Sequence, residues 1–158
     1  FSSLSKRSNV PGMRSGFVAG DEKILKKFLL YRTYHGCAMA PPVQTASIAA
    51  WNDEAHVLDN RNQYREKFAA CTPLIAEVLG TGMPDASFYL WARTPIADTD
   101  FARGLLEHYN VVVLPGSFLA REVRGVNPGA NFIRIALVAS LDECLDATQR
   151  IRQFAQQL

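Results

Sequence analysis

The chain has 158 residues, 48% apolar and 20% charged, with 17 Lys and Arg against 15 Asp and Glu for a formal net charge of +2. That length holds one compact domain, or a small domain plus part of another, and the charge is too small to call for nucleic acid or an anionic membrane as partner. No stretch approaches the roughly 18 apolar residues of a membrane span, and the opening FSSLSKRS lacks the apolar segment of a signal peptide.

From the start, SNVPGMRSG is a Pro-Gly turn leading into a short apolar strand over residues 17–19. A helix is expected over residues 21–32, capped by Asp21, with Ile24, Leu25, Phe28 and Leu29 on one face. Residues 33–42 (TYHGCAMAPP) read as a loop because Gly and paired Pro disfavour regular structure, and a second helix covers residues 43–51. The longest helical pattern follows, with Val57, Tyr64, Phe68, Cys71, Ile75 and Val78 at steps of three, four or seven. Pro73 falls inside it and predicts a kink or break within the preceding turn. GTGMPD ends that helix.

Beyond it the order becomes strand, helix, strand, strand, helix. SFYLWAR (87–93), VVVL (111–114) and FIRIALV (132–138) are the strands, with a helix over residues 99–109 between the first two. Ser140 caps a last helix, with Glu143 completing a capping box. The aromatics Phe88, Tyr89 and Trp91 are assigned to the strand's core side. The class is α/β: a small sheet with helices over it, joined by a long helix to part of something larger. The chain opens at Phe1 without a Met, and its first residues read like the interior of a domain, so a fragment is expected.

Cys37, Cys71 and Cys144 are scattered, without a Cys-x-x-Cys pair, which suits a reducing, cytosolic compartment over a disulfide framework. His35, His56 and His108 have no metal-ligand spacing, so no metal is expected.

Chemistry concentrates at Ser3-Leu4-Ser5-Lys6 and the turn bearing Asn9, Pro11, Gly12, Arg14 and Gly16. A lysine forms a Schiff base with an aldehyde when it spends time neutral, which a cation such as Arg14 favours. An arginine fork with serine hydroxyls is a phosphate cradle. Taken alone, a loop lysine and arginine are more often simply solvated. In the strand 132–138, Arg134 shares a face with Phe132, Ala136 and Val138, where it must meet an anion, whether a structural carboxylate or a ligand.

Ser-x-Ser-Lys, an arginine eight positions after the lysine, and Pro-Gly-x-Arg-x-Gly resemble the cofactor-lysine signature of class I/II aminotransferases, which depend on pyridoxal 5′-phosphate (PLP). The resemblance implies that Lys6 holds PLP covalently and that Arg14, Ser3 and Ser5 bind its phosphate. It implies that Arg134, in NFIRIAL ahead of the last helix, grips the substrate α-carboxylate. It also implies the C-terminal part of the aspartate aminotransferase fold. Residues 1–52 would end the large PLP domain, whose remainder lies upstream, and residues 53–158 would form the interdomain helix and small α/β domain. VVVLPGSF matches the family's Val-x-Pro-Gly and Phe segment, with one residue between Gly and Phe instead of the commoner two. Tyr34 and His35 fall on the segment that in family homodimers approaches the neighbouring subunit's substrate pocket, against the commoner reading as plain loop packing.

FYLWARTP, VLPGSFLARE and GVNPGANFIRIALV further resemble N-succinyl-L,L-diaminopimelate aminotransferases of lysine biosynthesis. That implies glutamate as amino donor and N-succinyl-2-amino-6-ketopimelate as acceptor, in the cytoplasm. Arg121 and Arg124 then become candidates for a distal carboxylate, against the commoner reading as surface arginines. The family's acidic partner of the pyridine nitrogen, its stacking aromatic and its glycine-rich phosphate loop cannot be placed in this chain. The segment alone is therefore expected to be inactive and to need the rest of the enzyme. A PLP-dependent β-lyase, an aminotransferase-like sensor domain of a transcription regulator and a non-catalytic dimerisation piece are the alternatives.

Overall fold

A computed structural model describes residues 1–36 and 38–158. Cys37, and with it part of the expected 33–42 loop, lies outside the described residues. The chain divides into two compact units, Phe1–Asn62 and Gln63–Leu158.

In the first unit a two-residue strand β1 (Ser2–Ser3) pairs antiparallel with β2 (Gly16–Phe17), in register Ser2 with Phe17 and Ser3 with Gly16. Between them lie a single-turn helix α1 (Leu4–Arg7) and a 3₁₀ turn over Pro11–Met13. The expected strand at 17–19 is thus shifted towards the N-terminus, because it pairs with the two serines before α1. Leu4 is 0% exposed and its amide donates to the Ser15 carbonyl at 3.1 Å, closing the segment on itself.

Helix α2 (Glu22–His35) starts where the sequence predicts, with the Asp21 carboxylate accepting from the amides of Lys23 and Ile24. It continues to His35, which corrects the expected loop start at Thr33. The Thr33 hydroxyl donates to the Leu29 carbonyl at 2.9 Å, and Gly36 closes the end by donating to Arg32. Helix α3 (Pro41–Asn52) begins on the paired prolines instead of after them. Proline is tolerated there because first-turn amides have no partner inside the helix.

The unit division falls within α4 (Ala55–Ala76), which contains Pro73. The expected break before Pro73 does not occur. Proline removes one bond of the ladder, while Cys71 and Ile75 on either side of it are fully buried, so packing holds the helix through the gap.

The second unit holds a three-stranded antiparallel sheet in the order β3 (Tyr89–Arg93), β5 (Phe132–Ala136), β4 (Leu114–Pro115). Helices α5 (Asp98–Tyr109) and α6 (Leu141–Ala155) supply Phe101, Leu105, Cys144, Ile151 and Phe154 to the core. The sheet contributes Leu90, Ala92, Ile133 and Ile135 to that core, Leu137 follows just after β5, and residues of α4 close it. The capping box at Ser140 and Glu143 forms as the sequence predicts.

Two strand expectations need correction. Residues 111–113 do not join the sheet, and Val112 is 80% exposed. A left-handed Asn110 (φ 52°) turns the chain out of α5, so that only Leu114 and Pro115 reach β5. Tyr89 and Trp91 do not face the core. Side chains alternate along a strand, and Leu90 and Ala92 take the buried face, leaving Trp91 37% exposed.

Ile133 is fully buried on the central strand. Ile133→Ala should destabilise the second unit by about 2–5 kcal/mol, read by chemical denaturation.

Candidate active site

In the first unit, Ser3, Ser5, Lys6, Arg14 and Gly16 line one cavity of about 730 Å³, with Phe17 and Phe28 among its apolar walls. Three local devices bring them together. Lys6 rides on α1, whose N-cap Ser3 is extended and makes no capping bond with its side chain. Arg14 adopts the left-handed conformation (φ 53°), uncommon for a residue with a side chain, and its guanidinium donates to the Pro11 carbonyl at 2.8 Å. At Gly16 a Cβ would lie 2.7 Å from the Ser2 carbonyl, so only glycine lets β2 close against β1. The buried Ser15 hydroxyl, 2.7 Å from that of Ser47, ties this strand to α3. A primary amine, a guanidinium and serine hydroxyls therefore share one concave surface.

Tyr34 and His35 are not among those walls. Both lie exposed in the last turn of α2, where the His35 ring stacks on Tyr31 at 4.6 Å.

In the second unit, Arg134 sits in the middle of the sheet, opposite Trp91 on one side and Leu114 on the other. Its guanidinium lies 5.6 Å from the centroid of the Tyr89 ring. Its Nε is buried without a hydrogen-bond partner among the described residues. With an aromatic ring beside it and no carboxylate paired to it among the described residues, this guanidinium has the chemistry to accept an anion. The surrounding cleft, about 350 Å³, is walled by Tyr89, Trp91, Leu119, Ala120 and Gly129. Trp91 stacks on Phe132 at 5.6 Å beside it.

The cleft's outer wall is irregular and rests on close backbone packing. A Cβ on Gly129 would meet the Gly116 carbonyl oxygen at 2.2 Å. The Asn127 side chain donates to the Ser117 carbonyl at 3.0 Å and accepts from the Gly129 amide at 2.9 Å. Asp98, which nothing in the sequence singled out, anchors both ends of this wall. Its carboxylate, 4% exposed, accepts from the amide of Ser117 at 2.9 Å and from that of Asn131 at 3.1 Å. Burial pushes its pKa up, but the hydrogen bonds from Ser117 and Asn131 outweigh this and hold it below the ordinary aspartate range. Arg121 and Arg124 are exposed, with Arg124 (φ 54°) and Gly125 (φ 78°) at the tip of a two-residue turn closed by Val123 and Val126.

Among the described residues no group of three or more His, Cys, Asp or Glu could hold a metal ion, and no helix is long and apolar enough to cross a membrane.

The family model for aminotransferase class I and II matches residues 1–151. The chain belongs to that family. A crystal structure of an aminotransferase from Neisseria meningitidis is 56% identical with a TM-score of 0.89, covering 97% of this chain and 39% of its own. A structure from Thermus thermophilus described as a probable N-succinyldiaminopimelate aminotransferase is 32% identical with a TM-score of 0.82, covering 96% of this chain and 40% of its own. A probable aminotransferase of Mycobacterium tuberculosis is 34% identical over 94% of this chain and 34% of its own length. This aminotransferase chain thus spans well under half the length of these relatives, and its fold is the corresponding part of the aspartate aminotransferase fold. The family is PLP-dependent. The donor set around Lys6 fits that cofactor, with an amine for its aldehyde and a guanidinium with hydroxyls for its phosphate.

Asp98→Ala would leave two amides without their acceptor and should cost about 1–3 kcal/mol for each one that stays buried. Because the folded carboxyl is held low, its stabilisation is present above the ordinary aspartate range and is lost as pH falls through the lower folded value. Denaturation curves between neutral and strongly acid pH should show that loss in wild type and not in Asp98→Asn.

Proposed function

We propose that this chain is part of a PLP-dependent aminotransferase that moves an amino group between glutamate and a keto acid. The observation that carries the reading is the shared cavity of Lys6, Arg14, Ser3 and Ser5 in a chain of this family. Residues 1–52 would close the large PLP domain, and residues 53–158 would supply the interdomain helix and small domain. Turnover would require the remainder of the enzyme, working as a cytoplasmic homodimer.

Lys6 would hold the PLP aldehyde, and Arg14 with Ser3 and Ser5 its phosphate. When bound, PLP supplies the electron sink for the charge left on the substrate Cα. The Lys6 amine would carry the proton at the substrate Cα, acting as base and then acid. Arg134 would receive the substrate α-carboxylate, its Nε having no hydrogen-bond partner among the described residues. Tyr34 and His35, exposed at the end of α2, would border the substrate pocket of the neighbouring subunit.

For the keto acid, N-succinyl-2-amino-6-ketopimelate is the substrate we favour. It has the support of the Thermus thermophilus relative's description and of the resemblance carried by residues 88–95, 113–122 and 125–138. The exposed Arg121 and Arg124 offer cations for a second carboxylate. Other relatives are named for different substrates, so substrate choice is tested separately from the reaction.

Full-length enzyme with PLP should show an absorbance band that glutamate converts to that of the pyridoxamine form. Borohydride reduction should fix the cofactor on Lys6, and Lys6→Ala should abolish both signals. No band in wild type would sink the aminotransferase reading. Arg134→Ala should weaken kcat/KM for every amino donor by roughly 30-fold or more, the loss expected when a desolvated charge pair loses one member. Comparing N-succinyl-2-amino-6-ketopimelate with pyruvate as acceptor decides the finer assignment.

A further inference from the structure

Lys6 sits on a helix of one turn, which cannot stand by its own hydrogen bonds. Its N-cap side chain makes no bond, and Leu4 is its one buried residue. Something else must fix its rotation, and Arg7 has the contacts to do so. The Arg7 side chain is only 15% exposed. Its Nη1 donates to the Ala50 carbonyl at 2.8 Å and to the Ser8 hydroxyl at 3.3 Å. Its Nη2 pairs with the Glu54 carboxylate, and the guanidinium lies 4.7 Å from the centroid of the Trp51 ring. Trp51 in turn packs edge-on against Phe17 of β2 at 5.1 Å. A carbonyl of the last turn of a helix, a carboxylate and an aromatic face are each favourable partners for a cation.

We propose that Arg7 is the positioning residue of the lysine turn, a role that rests on the reading of Lys6 as the cofactor lysine. Adjacent residues of a helix point about 100° apart. Locking Arg7 against Ala50, Trp51 and Glu54 therefore sets the direction in which Lys6 leaves α1. Arg7 also borders the Lys6 cavity, but its charge is matched by Glu54 and both terminal nitrogens have partners, so we assign it no phosphate contact. Arg14, by contrast, is exposed and commits one nitrogen to the Pro11 carbonyl.

The test uses full-length apoenzyme and PLP itself. Capture of PLP by Lys6 is followed by stopped-flow absorbance over a range of PLP concentrations, and the site is located by borohydride reduction and peptide mass. Arg7→Ala should lower the limiting capture rate roughly tenfold or more, as expected for a displaced reacting group, with the half-saturating concentration unchanged. Arg14→Ala should raise the half-saturating concentration. Arg7→Lys should recover part of the rate, Glu54→Ala should fall in the same direction, and the double variant should be no slower than Arg7→Ala. An unchanged limiting rate in Arg7→Ala, or a change confined to half-saturation, overturns the proposal. Should Arg7→Ala not fold, Glu54→Ala and Trp51→Leu must show the same split, and failure to do so overturns it equally. Absence of trapping at Lys6 in wild type removes the cofactor-lysine reading itself, and the positioning role with it.

Discussion

At the first turn of α5 a carboxylate is taken out of water and given two amide protons, one from Ser117 and one from Asn131. Those residues bracket the stretch that walls the Arg134 cleft. The stretch has little regular structure of its own, so it cannot hold its shape by a helix or sheet ladder. Asp98 instead transfers the rigidity of α5 to both of its ends, and the Gly116–Gly129 backbone contact fixes the spacing between them. Arg134 inherits the result. On the middle strand of the sheet its backbone is fixed from both sides, and its guanidinium is framed by Tyr89, Trp91 and that wall.

The lysine segment solves a similar problem by different means. Two strands of two residues, one helical turn and a 3₁₀ turn are each too short to be stable alone. The segment holds because Leu4 is buried, because the Leu4 amide reaches the Ser15 carbonyl, and because Gly16 permits contact no other residue would. Arg14 is left in a left-handed conformation, a modest cost that the surrounding closure imposes.

What the sequence made legible follows from the range of each signal. Asp21 and the Ser140–Glu143 pair act within one turn, so their caps could be read directly. The clustering of Ser3, Ser5, Lys6 and Arg14 was reached through a motif and not through physics, since β1 and α1 are below the length at which periodicity speaks. In SFYLWAR every central residue is apolar, so nothing in the run says which parity faces inward; the partner strand decides, and it sends Leu90 and Ala92 in. Thr33 to His35 looked like loop because Gly36 and the two prolines dominate their neighbourhood, yet the helix simply runs until Gly36. Asp98 was invisible because an aspartate in a first helical turn is commonplace, and its partners come from distant loops. Arg7 was hidden in the same way beside the more conspicuous lysine.

The second unit's core carries two thiols, Cys71 from α4 and Cys144 from α6, both buried among aliphatic and aromatic side chains. Burial and the neighbouring Cys71 raise the pKa of Cys144, which keeps it protonated and unreactive at neutral pH. Neither can meet an aqueous reagent while the core is closed. The unit therefore contains its own clock. The rate at which an alkylating agent reaches these two sulfurs reports how often the packing around Ile133 and Phe101 comes apart, with no engineered label.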